Sequence, residues 1–277
     1  MELGIQADQS AASLAVTCEP VYFTLVIPAY NEAARLPRTI AAVIAELAER
    51  PYRSEVLLVL DGCTDDTAAH ARAGWHGNCE IRVIDNAVNR GKGACVRQGM
   101  LAAGGRYCFF TDADLSYPLH QLEGFLAVLV ADGGVAIACR DASVARYQRP
   151  LRRLVTRLSR WVMTHLVVPG VADTQAGLKG FTREVARDLF ATQRLTGFGF
   201  DAELLHIAHM RGYPIRPLPV EWEDVPGSKI RLGRDVSRMA LELVALAANR
   251  LLGRYRRPRE LTAVVPEARR AEPALPG

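Results

Sequence analysis

Two aspartates one residue apart, Asp112 and Asp114, follow the apolar run Tyr107 to Thr111. Alternation along a strand points residues i and i+2 to one side, so this spacing predicts two carboxylates facing the same way. Like charges that close repel unless a cation neutralises them. Hard divalent cations choose oxygen ligands, and Mg²⁺ is usually shared between one or two carboxylates and phosphate. The pair alone reads first as a solvated strand end; its position after an apolar strand raises the case for a divalent metal holding a diphosphate. Asp61 closes a second apolar run, Val56 to Leu60, and precedes Gly62. A carboxylate there can accept hydrogen bonds from a nucleobase or ribose, or cap the next helix. Asp65 and Asp66, just before Thr67, suit capping better.

A third polar cluster, Asn89-Arg90-Gly91-Lys92-Gly93, opens a helical pattern. Glycines admit close backbone approach, helix N-terminal amides favour anions, and Arg90 and Lys92 add charge, so a phosphate suits the segment. Its spacing matches neither a Walker loop nor a dinucleotide-binding GxGxxG fingerprint, which argues against an NTPase or a dehydrogenase.

These clusters need elements to position them. Val21 to Ile27 reads as a strand ended by Pro28, and Asn31 precedes an amphipathic helix through Leu36, Ile40, Val43, Ile44 and Leu47. Strands follow at 55–61, 81–84, 107–111 and 135–139, separated by helices near 67, at 94–103 and at 120–130. Such repeats predict a mostly parallel α/β sheet flanked by helices. Ligands bind such sheets at the carboxyl ends of the strands, where the four polar clusters fall.

The second half differs. Between 140 and 160 the chain carries Arg140, Arg146, Arg149, Arg152, Arg153, Arg157 and Arg160 against one acid, Asp141. An apolar stretch follows, Trp161 to Val168. Residues 173–181 read as loop and then strand, a helix follows 197–200, and another strand spans 215–222. The last helix, from about Gly233 to Leu252, ends among Arg254, Arg256, Arg257 and Arg259. Basic amphipathic helices rest in membrane interfaces; a solvated basic face, or packing that buries Leu241, Val244 and Leu251, is the competing reading. Arg suits phosphate geometry, so Arg140, Arg146, Arg149 and Arg152 are candidate contacts for an acceptor phosphate. Residues 1–20 and 258–277 are expected to be disordered tails.

The 277 residues balance 34 Lys and Arg against 30 Asp and Glu. A net charge of +4 is too mild to argue for a nucleic-acid partner. No apolar run reaches the roughly 18 residues of a membrane span, and the polar N-terminus does not read as a signal peptide. Six scattered cysteines, with no CxxC pair, read as reduced residues of the core. The mean hydropathy of +0.04 is high for a chain without a span.

Taken together, VIPAYNE (26–32), LDGCTDDT (60–67), NRGKGACVRQGM (89–100) and DADLS (112–116) resemble family 2 glycosyltransferases of the GT-A fold. DTQAGLKGF, GFGFDAELL and WEDVPGSK narrow the resemblance to polyprenyl-phosphate glucosyl- and mannosyltransferases of the dolichyl-phosphate type, over about residues 22 to 255. The resemblance implies inverting sugar transfer from a UDP- or GDP-sugar, glucose favoured, to a polyprenyl phosphate. It would place Pro28, Tyr30, Glu32 and Asp61, with Lys92 and Asp112, on the nucleotide. Asp112 and Asp114 would bind Mg²⁺ or Mn²⁺, and Asp201 stands where relatives carry a general base; a helix-capping role for Asp201 stays open. Residues 21–140 would form the nucleotide-sugar half, 141–232 the acceptor half and 233–257 an amphipathic helix. The expected location is cytoplasmic, peripheral on the inner membrane face. Two motifs depart from the pattern: Leu60 stands where an Asp is usual, and Ala176-Gly177 where a Cys or Asp is. A soluble acceptor, a nucleotide-sugar binder and a nucleotidyltransferase remain the alternatives.

Overall fold

The computed structural model describes residues 20–71, 74–140, 171, 173–223 and 232–256. One mixed sheet of eight strands organises them, in the order β3-β4-β2-β1-β5-β7-β6-β8. The strands are β1 (Phe23–Ala29), β2 (Ser54–Asp61), β3 (Gly74–His76), β4 (Cys79–Asn86), β5 (Tyr107–Phe110), β6 (Val135–Arg140), β7 (Lys179–Thr182) and β8 (Ile215–Val220). Between them run α1 (Leu36–Leu47), α2 (Thr67–His70), α3 (Lys92–Ala102), α4 (Leu122–Asp132), α5 (Arg183–Thr192) and α6 (Phe200–Met210), and α7 (Leu232–Leu251) follows.

Strands β1, β2 and β5 are central, and every residue of β2 is buried. That is why they read as continuous apolar runs: a parallel strand covered on both faces has no solvent side to mark with polar residues. The period-two alternation appears instead in which face each side chain feeds. Val26, Leu57, Val59, Cys108 and Phe110 pack beneath α3, α5 and α6, with Val96, Met100, Phe190 and Leu204. Leu25, Ile27, Val56, Leu58 and Phe109 pack beneath α1 and α4, with Leu36, Val43, Phe125 and Leu129.

Helix α3 lies close on the sheet because Gly99 faces it. A Cβ at that position would overlap Cγ1 of Val26 and stand 3.1 Å from Cγ2 of Val59. The close approach sets the height at which the first turn of α3, with Lys92, meets the strand ends.

Four strand pairings are parallel and three antiparallel. The reversed strand is β7, between β5 and β6, and its register pairs Phe110 with Lys179. Reversal places the start of β7, and the loop before it, beside the carboxyl end of β5. The sequence pattern of 173–181 marked a strand without indicating its direction.

Several sequence expectations shift. Strand β1 does not stop at Pro28 but pairs with β2 through Ala29. The carbonyl of Val26 accepts from Thr111 N, so Val26 and Pro28 direct their main-chain groups to the β5 side, where β5 has already ended. The amide hydrogen that proline lacks is not needed there. The hairpin strand β3 went unread, and the helix after Asp66 is a single turn, α2. Five free cysteines are described; Cys79, Cys95 and Cys108 are buried, while Cys63 and Cys139 are only half-buried.

Gly99→Ala should lower the unfolding free energy by about 1–3 kcal/mol through overpacking. Chemical denaturation at pH 7 measures it.

Candidate functional site

The carboxyl edge of the sheet gathers three loops. After β1, Asn31 adopts a left-handed φ of 54° and clasps Thr64, accepting from its N–H at 2.8 Å and donating to its Oγ1 at 3.1 Å. The N–H of Glu32 reaches Thr67 Oγ1 at 2.6 Å, and the N–H of Ala33 reaches Asp65 Oδ2 at 3.2 Å. Asp65 also accepts from Thr67 N at 3.0 Å, whereas Asp66, at the N-cap of α2, makes no side-chain capping bond, so the capping expected of it is not found. Thus the loops after β1 and β2 are fastened to each other. Tyr30 stands exposed between them, and Glu32 is paired with Arg35 at 3.4 Å.

Asp61 is buried, and both its oxygens accept backbone hydrogen bonds: from Arg90 N at 2.6 Å and Gly91 N at 3.0 Å. The residue read from sequence as a nucleoside contact or a cap therefore also holds the third loop, 89–93. With that loop held, Lys92 begins α3 directed at Asp112, and the two form an ion pair. Burial works against the charge on Lys92, but Asp112, Asp201 and Asp114 outweigh it and hold its pKa above the ordinary lysine value.

Asp112 to Asp114 is not strand. Strand β5 ends at Phe110, and the aspartates lie in a turn. Leu115 N bonds to Asp112 O at 3.2 Å, Leu115 has a φ of 50°, and Ser116 N donates to Asp114 Oδ1 at 3.0 Å. Strand alternation therefore does not set the directions of the two carboxylates, one of which pairs with Lys92 and the other with Ser116 N. Thr39 Oγ1 of α1 donates to Ala113 O at 2.6 Å and pins the turn from outside. On its inner side Gly177 presses against Asp112: a Cβ there would overlap Asp112 Oδ2. Gly177 N also donates to the buried Tyr117 hydroxyl at 3.2 Å. At the motif departure, Ala176 is buried, and a side chain at Gly177 would require the Asp112 carboxylate to shift.

Beneath this turn lies a buried ion pair. Lys179, fully buried on β7, donates from Nζ to Asp201 Oδ1 at 2.6 Å and to Ala176 O at 2.6 Å, and its Nζ stands 5.5 Å from the Phe110 ring centroid. Asp201 is the second residue of α6, whose N-cap is Gly199, and it makes no capping bond. The capping alternative is therefore not its role. Burial pushes the Asp201 carboxyl up, opposed by Lys179 and Lys92 and aided by Asp112. Lys179 was overlooked as a site residue. Within DTQAGLKGF it looks like any surface lysine, and only its register opposite Phe110 puts it inside.

Arg140 ends β6 in a forked pair with Asp173, Nε to Oδ2 at 2.7 Å and Nη2 to Oδ1 at 3.1 Å, with its guanidinium 5.7 Å from the Trp222 ring centroid. Burial would raise the Asp173 carboxyl, but Arg140 outweighs it and holds the pKa below the usual value. Arg146, Arg149 and Arg152, the other candidate phosphate contacts, lie outside the described residues, as do the two expected tails, the apolar stretch 161–168 and the VPGSK turn.

Helix α7 docks through Leu246 and Asn249, and Glu242 accepts from Gly199 N at 2.7 Å. Leu241, Val244 and Leu251 are 70%, 67% and 87% exposed, so the reading in which this helix buries them fails. They recur at a spacing of three and seven and so share one outward stripe. No helix among the described residues is long and apolar enough to cross a membrane.

Asp112 and Asp114 fit a hard divalent cation by donor chemistry. Among the described residues no group of three or more His, Cys, Asp or Glu could hold a metal ion. Two carboxylates with diphosphate oxygens and water make up the oxygen set that Mg²⁺ takes. The Lys92 ammonium against Asp112 already marks where positive charge is favoured.

Residues 24–190 match the family model described as Glycosyl transferase family 2. The chain is 33% identical to a dolichyl-phosphate beta-glucosyltransferase of Drosophila melanogaster, covering 84% of this chain and 76% of the relative. It is 32% identical to the dolichyl-phosphate beta-glucosyltransferase of Homo sapiens, covering 84% and 77%. Among solved structures it is similar in fold to a mannosyl-3-phosphoglycerate synthase from Rubrobacter xylanophilus, with 20% identity, a TM-score of 0.60, and coverage of 92% and 79%. It is likewise similar to a glucosyl-3-phosphoglycerate synthase from Mycobacterium tuberculosis, solved with Mn²⁺, UDP-glucose and phosphoglyceric acid, with 18% identity, a TM-score of 0.60, and coverage of 85% and 80%. The fold is thus the GT-A α/β architecture expected from the sequence.

Asp173→Asn should cost about 2 kcal/mol at pH 7 by breaking charge-assisted hydrogen bonds to Arg140. Because the folded pKa of Asp173 lies below its unfolded value, its contribution is complete above about pH 4 and fades as pH falls through the folded pKa. Urea melts at pH 7 and pH 3 should therefore show the gap between variant and parent narrowing in acid.

Proposed function

This chain belongs to glycosyl transferase family 2, and from that premise we propose that it moves glucose from UDP-glucose to a polyprenyl phosphate at a membrane surface. The observation that carries the donor half is the Lys92 ammonium on Asp112, beside Asp114, at the carboxyl edge of the sheet. The names of the relatives support glucose as the sugar and a dolichyl-type phosphate as the acceptor.

In this reading Pro28, Tyr30, Glu32 and Asp61 flank the nucleoside, at the fastened loops after β1 and β2. Asp112 and Asp114 would hold Mg²⁺ or Mn²⁺, which when bound would compensate the charge of a nucleoside diphosphate. Lys92 adds a second positive charge at the same place and can pass from Asp112 to a phosphate oxygen as the donor enters. An acceptor phosphate oxygen forms the new bond to C1 of the sugar. The bond from C1 to the diphosphate oxygen breaks, and the electron pair leaves with the nucleoside diphosphate. Attack from the opposite face inverts C1. A phosphate monoester is anionic near pH 7, so no proton must be removed from it, and Asp201 has no obligatory task as a base. Its carboxylate instead orients and balances the two lysines. Arg146, Arg149 and Arg152 remain candidate contacts for the acceptor phosphate, whereas the charge of Arg140 is already balanced by Asp173.

The outward stripe of α7, followed by Arg254 and Arg256, suits an interface with anionic lipid. That surface, together with a lipid-borne acceptor, supports peripheral attachment to a membrane; the cytoplasmic face is the expectation from the sequence.

Thermal-shift screening of UDP- and GDP-sugars with Mn²⁺ should favour UDP-glucose, and turnover should need a polyprenyl phosphate. Transfer only to a water-soluble acceptor, or release of inorganic diphosphate, would overturn the assignment. Asp112→Asn should lower turnover at least ~10²-fold and weaken Mn²⁺ binding measured by calorimetry. Val244→Glu with Leu251→Glu should abolish sedimentation with vesicles of phosphatidylcholine and phosphatidylglycerol while sparing transfer to a short, soluble prenyl phosphate.

A further inference from the structure

A wholly buried lysine is rare, and one is retained only where its charge is paired and its donors are met. Lys179 meets that condition through three different elements. Its ammonium donates to Asp201 on α6 and to Ala176 O in the loop before β7, and it faces the ring of Phe110 at the end of β5. Each of those elements leads to a part of the site. Phe110 precedes Asp112 by two residues. Ala176 precedes Gly177, which presses against Asp112. Asp201 acts electrostatically on Lys92. A plain structural brace would be met as well by an apolar side chain, since a buried ion pair is seldom the most stable filling.

We propose that Lys179 is a positioning residue for sugar transfer. It holds the Asp201 carboxylate and the Ala176–Gly177 backbone in the one arrangement that sets Asp112 and Lys92 against each other. Lys179 does not touch substrate. It acts through Asp201 on the charge balance and through Ala176 on the wall behind Asp112. The proposal rests on the glycosyl-transfer reading above, and its test keeps the two separable.

The experiment compares the parent chain, Lys179→Met, Asp201→Asn and the double variant. Turnover is measured with UDP-glucose and a short polyprenyl phosphate and expressed per folded molecule, counted by the stoichiometry of Mn²⁺–UDP binding. Lys179→Met should lower kcat ~10- to 100-fold, with KM for UDP-glucose within about three-fold of the parent, as expected when lost positioning leaves donor binding intact. The double variant should fall within about three-fold of the weaker single variant, because residues acting as one unit do not lose activity independently. It also leaves no uncompensated buried charge, so it should fold even if Lys179→Met alone does not. Losses that multiply, or an unchanged kcat per folded molecule in Lys179→Met or, should that variant not fold, in the double variant, would overturn the proposal.

Hydrogen exchange by mass spectrometry reads the same claim without turnover. Protection should fall in both 174–178 and 199–205 when Lys179 is replaced, read in the double variant if the single does not fold, and persist in 94–102. Protection retained in 174–178 would equally overturn it. A parent chain that does not turn over UDP-glucose counts against the glycosyl-transfer reading alone, and the exchange result then decides the positioning claim.

Discussion

Three carboxylates crowd the end of β5, and two lysines let them remain there. Asp112, Asp114 and Asp201 would repel one another where water is partly excluded; Lys92 pairs with Asp112 and Lys179 with Asp201, the first half-buried and the second fully buried. Charges removed from water cost several kcal/mol each unless opposite charge and hydrogen bonds replace the lost hydration. The loops around the site serve that replacement. Asp61 grips the 89–93 loop so that Lys92 arrives, and β7 runs backward so that Lys179 arrives. In the proposed reading, a site balanced in this way suits a donor that brings its own cation and its own negative charge.

The same balance divides the molecule by face. The carboxyl edge of the sheet is polar and held by hydrogen bonds between loops, while the two faces are sealed by apolar side chains. Helix α7 departs from this pattern. It is fixed by Leu246, Asn249 and a contact from Glu242 to the start of α6, and it turns Leu241, Val244 and Leu251 outward. An apolar stripe left in water costs free energy that burial against a partner would recover. Its attachment beside the helix that carries Asp201 puts the exposed face close in the chain's architecture to the chemistry. The high mean hydropathy without a span resides in part on this outward stripe and in part in the strands and the buried helix faces.

Much of this was legible before any coordinates. The apolar runs of β1, β2 and β5 named the central strands, because strands buried on both faces carry no polar alternation to confuse them. The clusters at Asp61, at 89–93 and at Asp112–Asp114 were correctly placed at strand ends. Less legible were features that depend on partners far along the chain. Pro28 looked like a stop, yet it is harmless once β5 has ended. Asp201 looked like a base or a cap, whereas its nearest partner, Lys179, lies 22 residues earlier. Leu241, Val244 and Leu251 had the spacing of a helix face, but periodicity tells only that they share a face and not whether it turns inward.

By itself, the sequence determined the kinds of chemistry available, most of the strands and helices, and the family, because residue types, local periodicity and motif order are properties of the chain as written; β3 and α5 were not read from it. Only the tertiary structure decided the direction of β7, the burial of Lys179, the occupation of Asp61 by backbone amides and the outward face of α7. Each of those depends on which distant residues share a few ångströms of space. Hydrogen-bond geometry and dehydration act over that distance, and spacing along the chain does not encode it.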